Sequence, residues 1–181
     1  MEPNLKDIQR TSRNIFLGSF LLIAFFIFAV KFNILQSRQM AGEQLPEIKS
    51  NQWLTLPLSM NDIGGKVVLL FFIKNDVEIS REMLAWSEKL LGKYQSRGLI
   101  AIAITIPVEN GSVSEYTPFD FSHSPAGLYA FADTGNIERK KYRHASYATF
   151  YVTDRLGVIR DIGDASKGFE SVENSIAEQM K

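Results

Sequence analysis

The sequence predicts an α/β domain with a mixed central sheet flanked by helices, preceded by a single N-terminal transmembrane helix. Three observations carry this. A charge-free apolar run, "IFLGSFLLIAFFIFAV", occupies Ile15 to Val30. Two continuous β-rich runs, Val67 to Ile73 and Leu99 to Ile106, bracket a stretch with helical periodicity. Further β-rich runs follow, two of them joined by the short turn "DRLG", with an amphipathic segment behind.

The chain has 181 residues, the length of one domain plus an anchor. Its 20 basic and 20 acidic residues cancel, which argues against a nucleic-acid surface, because affinity there comes from clustered positive charge. The absence of cysteine excludes disulfides, thiolate catalysis and cysteine metal sites. It says nothing of compartment, since an oxidising space permits disulfides without requiring them.

A spanning helix needs roughly 20 apolar residues, and "KFNIL" extends the run to Leu35, so residues 15–35 are assigned as the anchor in the bilayer, with Lys31 snorkelling. A cleaved signal peptide is the alternative, but neither "FAVKF" nor "QSRQMAGE" offers a small-x-small cleavage site. Lys6, Arg10 and Arg13 precede the run, which places residues 1–14 in the cytoplasm and the C-terminal part outside a bacterial-type inner membrane, on the periplasmic side. The phenylalanines Phe16, Phe20, Phe25, Phe26, Phe28 and Phe32 suit lipid or a helix partner within a membrane complex. Residues 36–44 are polar and are assigned as a tether, leaving 45–181 for the folded domain.

Within that domain, Val67 to Ile73 is expected to be a strand buried on both faces. Ile79, Met83, Trp86, Leu90 and Tyr94 then recur at helical spacing, and Gly98 is placed to end that helix. With the strand Leu99 to Ile106 this is a βαβ unit, whose strands should be parallel with a right-handed crossover. "LYAFA", "ATFYVT" and "VIRDI" supply three more strands, the last two antiparallel across a turn with Gly157 at positive φ. Phe169, Val172, Ile176 and Met180 line one face of a closing helix.

That order is the order of the thioredoxin-like fold. "GGKVVLLFF" (Gly64 to Phe72), "SREM" (Ser80 to Met83) and "ATFYVTDRLGVIRDIG" (Ala148 to Gly163) resemble the membrane-anchored thioredoxin-like proteins of the TlpA/ResA type, and more distantly the SCO type. "LPEI" and "WLTLPLSMNDIGGK" resemble the N-terminal hairpin of that family, so the likeness covers roughly residues 45–181. The resemblance implies a reactive CxxC pair at the joint between the first strand and helix, yet its two positions fall on Val77 and Ser80. In the SCO register the positions are Asp76 and Ser80, a poor pair of ligands for a soft metal. The cis-proline that faces the dithiol aligns with Ala148, and a cis bond ahead of a non-proline residue costs about 2.5–4 kcal/mol, so this bond is expected to be trans. Valine has no nucleophile, and a serine hydroxyl performs no disulfide exchange.

No replacement chemistry is evident. Ser80 has no nearby base in sequence, since the only histidines are His123 and His144, and it suits a helix first turn, as do Asp76 and Glu78. No catalytic residue, cofactor or metal is assigned. Two segments are candidate interaction surfaces. The basic run "RKKYRH" offers Arg139, Lys140, Lys141 and Arg143 to a solvated face, or to acidic protein or headgroups. The crossover Pro107 to Gly127 carries Tyr116, Phe119 and Phe121, which either fold back onto the sheet or dock a partner.

The function expected is a redox-inactive subunit or assembly factor of a larger membrane protein complex. The alternatives are a thiol-disulfide or metallochaperone-type accessory acting with a partner's cysteines, and a small-ligand-binding module using a groove lined by Val77, Ile79, Tyr147 and Ala148.

Overall fold

The computed structural model of the chain describes residues 40–50, 52–74, 77–106, 119–143 and 145–181. The segment 1–14, the anchor at 15–35, the start of the tether, Asp76, Tyr116 and His144 lie outside these residues. Among the described residues no helix is long and apolar enough to cross a membrane.

After a single helical turn α1 (Met60–Ile63), strand β1 (Val67–Lys74) leads into helix α2 (Glu78–Tyr94). A 3-10 turn and Gly98 at φ +95 reverse the chain into β2 (Leu99–Ile106), since glycine adopts this left-handed cap without steric cost. Then follow β3 (Leu128–Ala132), the short helix α3 (Ile137–Lys141), β4 (Thr149–Thr153), β5 (Ile159–Asp164) and helix α4 (Glu170–Gln179). The sheet order is β3-β2-β1-β4-β5, with β1, β2 and β3 parallel and β4 antiparallel to both of its neighbours. This is the mixed sheet of the thioredoxin-like fold.

Alternation along β1 divides the core into two layers. Val67, Leu69, Phe71 and Ile73 pack with Met83, Leu90, Leu91 and Tyr94 of α2 and with Val172 and Ile176 of α4. Val68, Leu70 and Phe72 face the other way, against Ile100, Ile102, Ile104, Phe131, Tyr142 and Tyr151. Of the expected α2 core face, Ile79 and Trp86 are only partly buried; Trp86 instead stacks on Phe169 with ring centroids 4.9 Å apart. Ser87 takes a core position that periodicity assigned to no residue, its hydroxyl donating to the Leu84 carbonyl at 2.7 Å.

The segment before α1 closes both edges of the sheet. Gly42 N–H donates to Ile159 O at 2.8 Å and Ile159 N–H to Glu43 O at 2.9 Å, which covers β5. Leu54 N–H donates to Ala130 O at 2.8 Å and Ala132 N–H to Gln52 O at 3.0 Å, which covers β3. Unpaired edge groups are templates for aggregation, and this strap covers part of each edge. Met40 is 2% exposed and belongs to the core. Met40, Gly42 and Glu43, within the stretch assigned as the tether, thus contact the domain.

The β4–β5 hairpin turns on Asp154, whose carboxylate accepts from Leu156 N–H at 2.9 Å, Val158 N–H at 3.0 Å and Arg160 Nε at 2.7 Å. Partial desolvation alone would raise its pKa; the bonds from Val158, Arg160 and Leu156 outweigh that and hold it below the ordinary value. In the hairpin register Phe150 lies opposite Gly163, and a Cβ built on Gly163 would overlap the Phe150 ring.

Phe150 is 2% exposed and has no room to retreat, so Gly163→Ala is expected to lower stability by about 1–3 kcal/mol, read as a lower urea midpoint at unchanged m-value. A depressed carboxylate stabilises the fold above the unfolded pKa of about 3.9, and that contribution is lost as pH falls through the folded value. Asp154→Asn should therefore lower stability at neutral pH and flatten the acid limb of a stability–pH curve below about pH 4.

Candidate functional site: the joint of β1 and α2

The parallel strands β1 and β2 end side by side, Lys74 opposite Ile106, and α2 begins just beyond. Val77 is the N-cap of α2, in extended conformation at φ −112 and ψ 119, and its side chain makes no capping bond. Valine is a poor residue for this place, since it leaves first-turn N–H groups without an acceptor. Glu78 in that turn pairs with Arg81 at 3.2 Å on the surface and suits the helix dipole.

Ser80 is fully buried, and its Oγ accepts the Lys74 backbone N–H at 3.0 Å. Its own N–H donates to the Val77 carbonyl at 3.0 Å. The hydroxyl thus ties the last residue of β1 to the first turn of α2. A nucleophile needs access and a base. Ser80 has no access, and His123 lies on an exposed segment, where it pairs with Ser122 Oγ at 2.9 Å.

Ala148 faces the same end of the sheet. It is 3% exposed and adopts φ +70, a left-handed conformation unusual for a residue with a Cβ. Its peptide bonds are trans. Its N–H donates to Phe72 O at 2.9 Å, and its carbonyl accepts from Ala165 N–H at 2.8 Å. Both backbone groups are therefore consumed internally and neither is presented to an extended substrate. Tyr147, 45% exposed, and the half-buried Val77 and Ile79 leave an apolar rim around this closed joint. Thr105, paired with Ile73 in the sheet, buries a hydroxyl there that has no hydrogen-bond partner among the described residues.

The two candidate interaction surfaces turn inward. Phe121 is 9% exposed within the α2-side core, and Phe119 packs against that core with its ring 6.2 Å from Phe121. Of the two readings for this segment, the Phe121 ring is in the position expected for folding back onto the sheet. In the basic run, Arg139 Nε donates to the Ala145 carbonyl at 2.9 Å. Lys141 Nζ reaches Glu138 at 2.7 Å and the Glu47 carbonyl at 2.6 Å, while Arg143 pairs with Glu43 at 2.6 Å. Lys140 is exposed. Arg139 thus spends its charge on the loop after α3, and Lys141 and Arg143 spend theirs on Glu138 of α3 and on the N-terminal strap, so the run is a latch more than an open patch.

Sequence reasoning missed the buried end of that latch. Glu138 is 1% exposed and accepts Lys49 N–H at 3.1 Å beside Lys141. Asp133 caps α3 by accepting Glu138 N–H at 3.1 Å and Arg139 N–H at 2.8 Å. The turn-rich "DTGN" ahead of "IERKK" was the available signal for a capped helix. Tyr142, on the next turn, has its phenol pushed well above the ordinary value by burial and by the Glu138 charge, so it stays neutral. It packs edge-on against Tyr151 and Phe72 at 5.0 and 5.5 Å.

These contacts set three expected outcomes in denaturation experiments. Ser80→Ala leaves a buried N–H of Lys74 without an acceptor and should cost about 1–3 kcal/mol. Val77→Ser supplies the missing N-cap and should stabilise by about 0.5–2 kcal/mol. Ala148→Pro removes the bond to Phe72 and demands φ near −65°, so it should destabilise by about 3 kcal/mol or more.

No protein-family model matches the chain, and no curated protein matches it either. Solved structures do. A Chlorobium tepidum protein assigned as a DsbE-type thiol:disulfide interchange protein superposes with a TM-score of 0.64 at 19% identity, over 78% of this chain and 98% of its own. A thioredoxin-like protein in its oxidised form gives 0.62 at 20% identity, over 76% and 94%. A thiol-disulfide isomerase from Corynebacterium glutamicum gives 0.58 at 17% identity, over 74% and 95%. At such identities the likeness is one of fold, and the fold of this chain is thioredoxin-like.

Proposed function

We propose that the chain is a non-catalytic, membrane-anchored thioredoxin-like subunit or assembly factor of a larger membrane protein complex, with its domain on the periplasmic side of a bacterial-type cytoplasmic membrane. The observation that carries this is the fate of the joint. Exchange chemistry needs a thiolate with access to a disulfide sulfur. Here one position is Val77 and the other is Ser80, buried and bonded to Lys74. The facing residue, Ala148, has both backbone groups engaged. A joint so closed serves the fold, and what remains for function is the surface and the apolar run that precedes the domain.

A second reading is favoured by the names of the structural neighbours, two of which are described as thiol:disulfide proteins. In it the chain assists exchange between cysteines that both belong to partners.

Mild-detergent extraction of the tagged native protein, with mass spectrometry of what co-purifies, separates the two. A stable set of membrane-complex subunits, unchanged when dithiols are blocked with an alkylating agent before extraction, supports the subunit reading. Partners that are dithiol proteins and are lost on alkylation would replace it with the second. A reporter fused after Lys181 that works only in the cytoplasm should be silent, and strong signal would overturn the orientation.

A further inference from the structure

We propose that the end of the domain formed by the β4–β5 turn and the starts of β1 and β2 is a lipid-facing surface that rests on anionic headgroups. This deepens the membrane reading above and rests on it.

Three of the five large apolar residues that are exposed among the described residues lie at this end. Leu156, at the tip of the β4–β5 turn, is 78% exposed. Leu56 is 80% and Met60 37% exposed, and both lie on the stretch that runs from the β3 edge, where Thr55 bonds Ala130, to Lys66 at the start of β1. Among the described residues the other two, Ile137 and Tyr147, lie beyond the end of β3 and before the start of β4, at the opposite end of the sheet.

Positive charge converges between these side chains. Arg155 donates from Nη1 to Gly65 O at 3.0 Å and from Nη2 to Arg97 O at 2.9 Å, so its guanidinium is fixed by carbonyls. A Cβ on Gly98 would lie 3.0 Å from Arg155 Nη1 and 3.6 Å from Lys66 Cδ, which places both cations around one backbone point. Lys66, Arg97 and Arg155 are exposed, and among the described residues none of them pairs with a carboxylate. Exposed leucines set among unneutralised cations match an interface in which acyl chains and anionic headgroups meet.

The point where the chain enters the domain agrees. Gly42 and Glu43 bond Ile159 at the base of the same hairpin. In the sequence only Gln36 to Gln39 separate Leu35, the end of the apolar run, from Met40, a length that spans about 14 Å when fully extended. The described chain thus enters the domain at its apolar, cationic end.

The cysteine-free chain allows a direct test, because each introduced cysteine is unique. Full-length Leu156→Cys and Tyr147→Cys proteins, each labelled with a fluorophore, are reconstituted into vesicles of phosphatidylcholine with phosphatidylglycerol, some carrying a headgroup nitroxide. Quenching at position 156 but not at 147, with loss of that quenching in pure phosphatidylcholine or on adding Lys66→Glu, is the expected result. Equal quenching at both positions, quenching only at 147, or none at either overturns the proposal while the anchor reading stands. Quenching at 156 that ignores lipid charge and Lys66→Glu overturns the anionic specificity. Failure of the protein to float with the vesicles overturns the anchor reading, and this proposal with it.

Discussion

Strand β1 must bury both of its faces at once, and the rest of the domain is arranged to meet that demand. Every residue from Val67 to Ile73 is at most 1% exposed. One face can be covered only by helices returning to the sheet, which α2 and α4 do. The other is covered by Tyr142 and Ala145, by Ile63, and by Met40 and Leu45 of the N-terminal strap. Burying a large apolar side chain contributes about 1.5–3 kcal/mol, so a strand of seven such residues is a large commitment.

That constraint accounts for the form of the joint. Lys74 must place its N–H somewhere as β1 ends, and a buried donor without an acceptor is costly. Ser80 supplies the acceptor, while the Phe72 carbonyl takes its donor from Ala148. A side chain used in this way is withdrawn from solvent and so from chemistry. The latch around Glu138 follows the same logic on the other layer. A buried carboxylate needs partners, and Lys49 N–H and Lys141 provide them while fixing the strap in place.

Much of this was legible in the sequence because its determinants are local. The uninterrupted run of Val67 to Ile73, the spacing of Met83, Leu90 and Tyr94, and the Gly157 turn each specify an element without reference to the rest of the chain. Gly157 has the positive φ expected, at +76. What stayed hidden depends on long-range pairing. Nothing in "QMAGEQ" announces that Gly42 will bond Ile159, or that Met40 will be a core residue. The basic run read as a surface because two of the groups that meet it, the Glu43 carboxylate and the Glu47 backbone carbonyl, are about a hundred residues away in the chain. At the joint, residue types excluded thiol chemistry, but only the geometry shows Ser80 to be buried and Ala148 to be bonded on both sides. The burial of Phe121 was likewise one of two readings that sequence alone left open.

The central claim is that the joint is closed, with the groups that would meet a substrate bonded to one another. Native-state amide hydrogen exchange at Lys74 and Ala148 tests it most directly, because these two N–H groups would be the first released if the groove opened. Protection at both positions as strong as that of Leu69 and Leu70 in the middle of β1 is the result expected. Rapid exchange at Lys74 and Ala148, with the middle of β1 still protected, would contradict it and show a joint that opens while the domain stays folded.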